Sequence, residues 1–169
     1  MKLDRAMAAD LPEIVGLMNR AYRGREGWAV EEGHIRGDRI LLPDLAAELA
    51  AKPRMQWLVW REEGALLGTV SLEPLEDGIW YLGALTIEPG RQEGQLGRRL
   101  LEEAERIARE AGARQMRLTV IWVREALIAW YRRRGYLPTG KTSPFPYGDE
   151  RWGKPLRDDL HFVWFEKAL

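Results

Sequence analysis

Residues 82–101 read LGALTIEPGRQEGQLGRRLL. The spacing predicts a strand over 82–87 that runs into Pro89 and then a loop holding Gly90, Gly94 and Gly97. A helix follows at once, with Leu96, Leu100, Leu101, Ala104, Ile107 and Ala108 on one face. A strand that delivers a glycine-bearing turn to a helix N-terminus aims free amide N–H groups and the positive end of the helix dipole at one spot. Such a corner binds anions, phosphates above all. Glu102 with Arg106 and Glu105 with Arg109 are spaced for i,i+4 pairs on the helix's outer face, and Gly112 stands just past its end.

Upstream, residues 55–60, 67–72 and 79–87 read as three consecutive strands separated by tight turns, an antiparallel meander. Residues 2–6 read as a short first strand. Asp10 and Glu13 fit a capping box for a helix that places Leu11, Ile14, Val15, Met18 and Tyr22 on one side. Residues 23–38 are rich in glycine and charge, and 45–51 read as a helix ended by Pro53. Downstream, 116–121 is a strand and 125–133 a helix with Leu127, Trp130 and Tyr131 inward; Gly135 stops it. Residues 139–160 read as one long loop, and 161–165 close the chain as a strand. A strand–helix–strand unit after a meander predicts an α/β fold, a mixed but mostly antiparallel central sheet flanked by helices.

The 169 residues are expected to form one domain. Lysine and arginine number 26 and so do aspartate and glutamate, a balance that argues against a broad nucleic-acid or membrane surface. Without cysteine there are no disulfides, no thiolate metal sites and no cysteine nucleophile. His34 and His161 have no partner at metal-ligand spacing, so no metal is expected. No apolar core of a signal peptide and no membrane-length apolar run is present, which gives the expectation of a cytoplasmic protein.

This order of elements, with these residues, resembles the GNAT superfamily of acyl-CoA-dependent N-acyltransferases, and the likeness covers nearly the whole chain. Ile87-Glu88-Pro89 resembles the step that ends the family's fourth strand. Gln92 stands at the Gln/Arg position of its pyrophosphate loop, Gly97 at the final Gly, and Leu100-Leu101 at the aliphatic pair. The first Gly of Gly-x-Gly is Gln95 here, with Gly94 one place earlier. The family's next helix carries Asn-x-x-Ala-x-x-x-Tyr and then Gly-Phe or Gly-Tyr. Arg124, Leu127, Tyr131 and Gly135-Tyr136 occupy those positions, so Arg124 replaces the Asn.

The resemblance implies direct transfer of an acetyl or short acyl group from an acyl-CoA, acetyl-CoA as cosubstrate, to a primary amine. It implies that Gln92, Glu93, Gly94, Gln95, Leu96, Gly97 and Arg98 hold the pyrophosphate, that the backbone of Leu85, Thr86 and Ile87 pairs with the pantetheine arm, and that Arg124 and Tyr131 contact the cofactor. Tyr131 is the residue expected to meet the departing thiolate. Full proton transfer from a phenol of pKa about 10 to a thiolate of about 8.5 is uphill by roughly 2 kcal/mol, so a hydrogen bond to sulfur is the larger part of that role. The amine needs a base, since an alkylammonium is almost wholly protonated near neutral pH. Glu73 and Glu88, at strand ends, are the candidates. The acceptor pocket, for a small-molecule or peptide amine, is expected between the segments around Arg23–Trp28 and Tyr147–Trp152, with Arg23, Arg25, Trp28, Tyr147 and Arg151 as substrate contacts. Trp57, Trp60, Trp122 and Trp130 read as packing residues. A catalytically inactive acyl-CoA sensor of the same fold is the alternative. A nucleotide-dependent phosphotransferase lacks the Gly-Lys-Ser/Thr that its loop requires. A monomer or homodimer fits the sequence equally.

Overall fold

Residues 1–24, 31, 33–91 and 94–169 are described by a computed structural model of the chain. In chain order they form β1 (Asp4–Arg5), α1 (Leu11–Arg23), β2 (Ile35–Arg36), α2 (Leu42–Ala51), β3 (Gln56–Glu62), β4 (Ala65–Pro74) and β5 (Ile79–Ile87). There follow α3 (Leu96–Glu110), β6 (Gln115–Ile121), α4 (Glu125–Arg132), β7 (Leu137–Pro144), β8 (Lys154–Pro155) and β9 (His161–Ala168). Seven strands make one sheet in the order β1-β3-β4-β5-β6-β9-β7, antiparallel except for β5 beside β6; β2 and β8 pair separately.

The meander is set by its turns. Glu63 and Gly64 both have positive φ, the two-residue hairpin geometry that matches strand twist, and β3 returns directly as β4. Alternation along β3 then sorts side chains to two buried faces. Leu58 and Trp60 join the core beneath α3 and α4, with Leu100, Leu101, Ala104, Met116 and Tyr131. Trp57 and Val59 join the opposite core, with Ile14, Leu17 and Met18 of α1 and Leu45 of α2. Helices thus cover both faces, and β4, buried from Leu66 to Leu72, runs through the middle.

Several local expectations give way to tertiary partners. The Asp10–Glu13 capping box does not form: Asp10 Oδ2 accepts from the Met7 amide, and Asp10 and Glu13 share the Arg61 guanidinium. On α3, Glu105 turns inward and accepts from Tyr136 Oη at 2.9 Å and Lys167 Nζ at 2.7 Å, while Glu102 pairs with Arg98 and Arg106 with Glu103. The stretch expected as one long loop holds β7 and β8 and a 3-10 turn at Glu150–Trp152.

Candidate functional site

The sheet opens at its one parallel pair. β5 and β6 are in register at Ile79–Gln115, Trp80–Met116 and Tyr81–Arg117, and no pairing between them continues past that point. Beyond it β5 stays with β4 as far as Ile87, and β6 stays with β9 as far as Ile121. Each strand therefore turns a backbone edge toward a gap. A bulge reinforces the divergence: Ala84 and Leu85 together oppose Val70, and Ala84 has φ +51°. Gly83 lies so close to β4 that a Cβ would sit 2.8 Å from Ser71 Oγ. An open strand edge is a template for an extended partner.

A cleft of about 960 Å³ runs through this gap. Leu82–Leu85 and residues 118–121 form its strand walls, and Tyr131 of α4 closes one side. Tyr131 is only 6% exposed, packed edge-on against Trp130 and Tyr136. Its hydroxyl makes no hydrogen bond to another described residue. Burial pushes that hydroxyl above the ordinary phenol value, Tyr22 adds to the rise, and the Arg124 charge opposes it. The group is thus a neutral donor at the cleft wall. The side chains of Thr86 and Ile87, which follow Leu85, turn off the cleft lining: Thr86 Oγ1 bonds Ala84 O, and Ile87 packs in the core.

From β5 the chain runs through a 3-10 turn at Pro89–Arg91 to the N-terminus of α3. Gln95 caps that helix in the left-handed conformation, φ +59°, next to Gly94 at φ +68°. The first bond of the helix ladder runs from Arg99 N to Gln95 O, so the amides of Leu96, Gly97 and Arg98 stand ahead of it. The space around Gly94 is open. Arg98 is tied to Glu102 and Gln95 and lines a separate hollow beside Arg133, Arg134 and Lys167. Gln92, Glu93, Arg25 and Trp28 lie outside the described residues.

The remaining expected side chains separate. Glu73 lines the cleft and accepts from Lys52 Nζ at 3.0 Å. Glu88 is held by Arg20 away from the cleft lining, because both its oxygens face that guanidinium. Arg23 lines the cleft, but its guanidinium donates to Glu31, to the carbonyls of Arg36 and Gly37, and to Trp152 O. It ties the loops together instead of presenting a fork to a ligand. Tyr147 is off the cleft lining, its hydroxyl donating to Arg157 O and accepting from Leu160 N. Arg124 is buried against Glu31 and lies over the ring of Tyr22 on α1.

Residues 13–136 match the family model described as the Acetyltransferase (GNAT) family. The chain belongs to that family. As a GNAT acetyltransferase it is an acyltransferase. It is 34% identical over 108 residues to an IAA acetyltransferase of Azospirillum brasilense, an overlap of 63% of this chain and 69% of that protein. Its fold is similar to that of a ribosomal-protein-alanine N-acetyltransferase from Brucella melitensis, with TM-score 0.71 and 21% identity across all of both chains. It is also similar to yncA of Salmonella typhimurium, solved with acetyl-CoA, with TM-score 0.68 and 22% identity over 100% of this chain and 94% of that one.

Tyr22, Arg39, Asp44 and Tyr81 line the cleft and were not assigned to it from the sequence. Tyr81 had a usable signal. Trp80 and Leu82 point into the α3 core, so alternation sends Tyr81 and Gly83 to the other face, where Tyr81 meets Thr119 Oγ1 at 2.7 Å across the base of the fork. Arg39 had none, since nothing near it in sequence marks a charged residue as cleft-lining. Among the described residues no cluster of three or more His, Asp or Glu is placed to hold a metal, and no helix is long and apolar enough to cross a membrane.

Proposed function

We propose that this GNAT acetyltransferase, working as one domain over residues 1–169, transfers an acetyl or other short acyl group from acetyl-CoA directly to the primary amine of a small molecule or peptide. One observation carries the reading. The gap between β5 and β6 offers an unpaired strand edge, and the Tyr131 hydroxyl, without a partner among the described residues, borders the same gap.

The residues suit such a donor. An extended amide-bearing arm adds to the open edge of β5 as a strand would. The amides of Leu96, Gly97 and Arg98, with Gly94 and Gln95 beside them, suit a diphosphate at the α3 N-terminus. Gln92 and Glu93 complete that loop in sequence. Acetyl-CoA supplies the activated acyl group, and the chain supplies position and charge. The amine nitrogen forms a bond to the acyl carbon as the carbon–sulfur bond breaks and its electron pair leaves on sulfur. The backbone at the Leu85 bulge donates to the acyl oxygen as negative charge gathers there. Tyr131 donates a hydrogen bond to the departing sulfur. Its raised pKa makes outright protonation of a thiolate less favourable than for an ordinary phenol, so hydrogen bonding is its larger contribution. Glu73 takes the surplus ammonium proton, directly or through water.

Calorimetry with acetyl-CoA, CoA and ATP, followed by thiol-release assays with an amine panel, tests the proposal. Acetyl-CoA is expected to bind, and at 100-fold excess over Kd to stabilise the fold by about 2.7 kcal/mol. Mass spectrometry of enzyme with acetyl-CoA alone is expected to show no acetylated protein, as direct transfer requires. Binding of ATP but not CoA esters would refute the reading.

A further inference from the structure

We propose that the amine accepted by this enzyme carries its own oxyanion, as an amino acid does, and that Arg39 holds that oxyanion. The inference rests on the acetyl-transfer reading and narrows its acceptor.

Most cations lining the cleft are already engaged by a carboxylate of the protein. Arg23 and Arg124 share Glu31, Lys52 lies against Glu48 and Glu73, and Arg151 is paired with Asp149. Arg39 lines the same cleft with no carboxylate at ion-pair distance among the described residues. Its guanidinium lies over the Tyr22 ring at 5.4 Å and over the Trp152 ring at 5.0 Å. Aromatic contacts engage the flat faces of a guanidinium and leave its in-plane N–H groups for a ligand, a fork that matches carboxylate or phosphonate oxygens.

The base of the side chain is fixed as well. Asn19 Oδ1 accepts from the amides of Arg39 and Ile40 at 2.7 and 3.1 Å, and Asn19 Nδ2 donates to Ile40 O at 2.9 Å. Arg39 is thereby clamped to α1, which also presents Tyr22. A preorganised cation lowers the ordering penalty of binding. Tyr22 also carries Arg124 over its ring at 5.6 Å, which puts Arg39 next to the side of the cleft where Tyr131 sits. Asp44 adds a second feature: its Oδ2 is buried without a hydrogen-bond partner on the cleft lining, ready to accept from a donor on the same acceptor. An amine cationic along its whole length has nothing to place on Arg39.

Matched acceptors test this: an amino acid, the aminoalkylphosphonate and the decarboxylated amine of the same side chain, assayed by thiol release at saturating acetyl-CoA. The wild-type enzyme is expected to favour an oxyanion-bearing member over the bare amine by about 100-fold in kcat/KM, the scale of a bidentate charge-assisted contact. Arg39→Gln is expected to cut that ratio to about tenfold or less, mainly through KM, and Arg39→Lys to fall between, keeping the charge without the fork. A wild-type ratio near one, turnover confined to bare amines, a ratio unmoved in Arg39→Gln, or no turnover of any oxyanion-bearing amine overturns the inference. The wild-type ratio decides even where the variant is poorly folded. Calorimetry on the same samples separates the two readings. Protein that ignores acetyl-CoA removes the parent reading, whereas protein that binds it and acetylates bare amines removes only the role of Arg39.

Discussion

Replacing Tyr131 with Phe deletes one oxygen atom from a residue whose ring does the packing. The ring is held by Trp130 at 4.9 Å and Tyr136 at 5.5 Å, and both contacts survive the change. The hydroxyl bonds to no other described residue, so no protein hydrogen bond is lost. The free enzyme is therefore expected to keep its stability within about 0.5 kcal/mol. Turnover is different, because the hydroxyl is proposed to donate to sulfur as charge develops on it. A hydrogen bond to a charged group contributes about 1.5–3 kcal/mol, which translates to a loss in kcat of about 10- to 150-fold with little change in acetyl-CoA affinity. The pH dependence follows from the raised hydroxyl pKa. The neutral phenol is retained below the ordinary value of about 10, and any stability that it contributes is present there and lost only as pH rises further. Tyr131 should thus add no falling limb to the wild-type rate below about pH 10. Stopped-time thiol release, urea melts and calorimetry on Tyr131→Phe supply the three readings. An unchanged kcat, or a loss of activity matched by a large loss of stability, would refute the reasoning.

Glu73→Gln is expected to lower kcat about 100-fold near neutral pH, the low end of general-base contributions, while Glu88→Gln stays within about threefold; steady-state assays compare them directly. Glu105→Ala strands the Tyr136 hydroxyl and the Lys167 ammonium in a nearly buried setting, and should cost about 3–5 kcal/mol in urea unfolding. Ala84→Gly relieves a left-handed residue in the β5 bulge and should raise stability by up to about 1 kcal/mol, read as a higher Tm with acetyl-CoA binding kept.

How far the sequence reaches depends on how local the cause is. The α3 corner was legible because its parts are contiguous: a strand, a proline, glycines and an amphipathic helix within 82–108. Tyr131 was legible through its distance from Gly135-Tyr136. The fork was not, because it depends on where the β5–β6 ladder stops, and ladder length is decided by the strands outside the pair. Charged residues were the least legible. Arg23 and Arg39 are both arginines in the approach to the meander, yet Glu31 and the carbonyls of residues 36 and 37 take up Arg23, whereas no carboxylate meets Arg39 among the described residues. Glu105 was read as solvated from its helical spacing, and only β9, bringing Lys167, and the chain after α4, bringing Tyr136, turn it into a buried partner.

The two departures from the family pattern have different physical consequences. Gln95 stands in the left-handed conformation that glycine adopts freely, at φ +59°, so the change costs strain of about 1 kcal/mol and adds a side chain. Arg124 reassigns its position. Standing at the N-cap of α4, it reaches Glu31 at 3.4 Å, and Glu31 in turn accepts from Arg23 at 3.2 Å. Arg23 then donates to the carbonyls of Arg36 and Gly37, just ahead of Arg39, and to Trp152 O. One buried run of alternating charge thus connects the helix that bears Tyr131 with the backbone of residues 36–37 and of Trp152. A neutral Asn at 124 would leave Glu31 with less positive charge beside it. The substitution thus links the surroundings of Arg39, the cation proposed to select the amine, to the helix whose Tyr131 is proposed to meet the leaving sulfur.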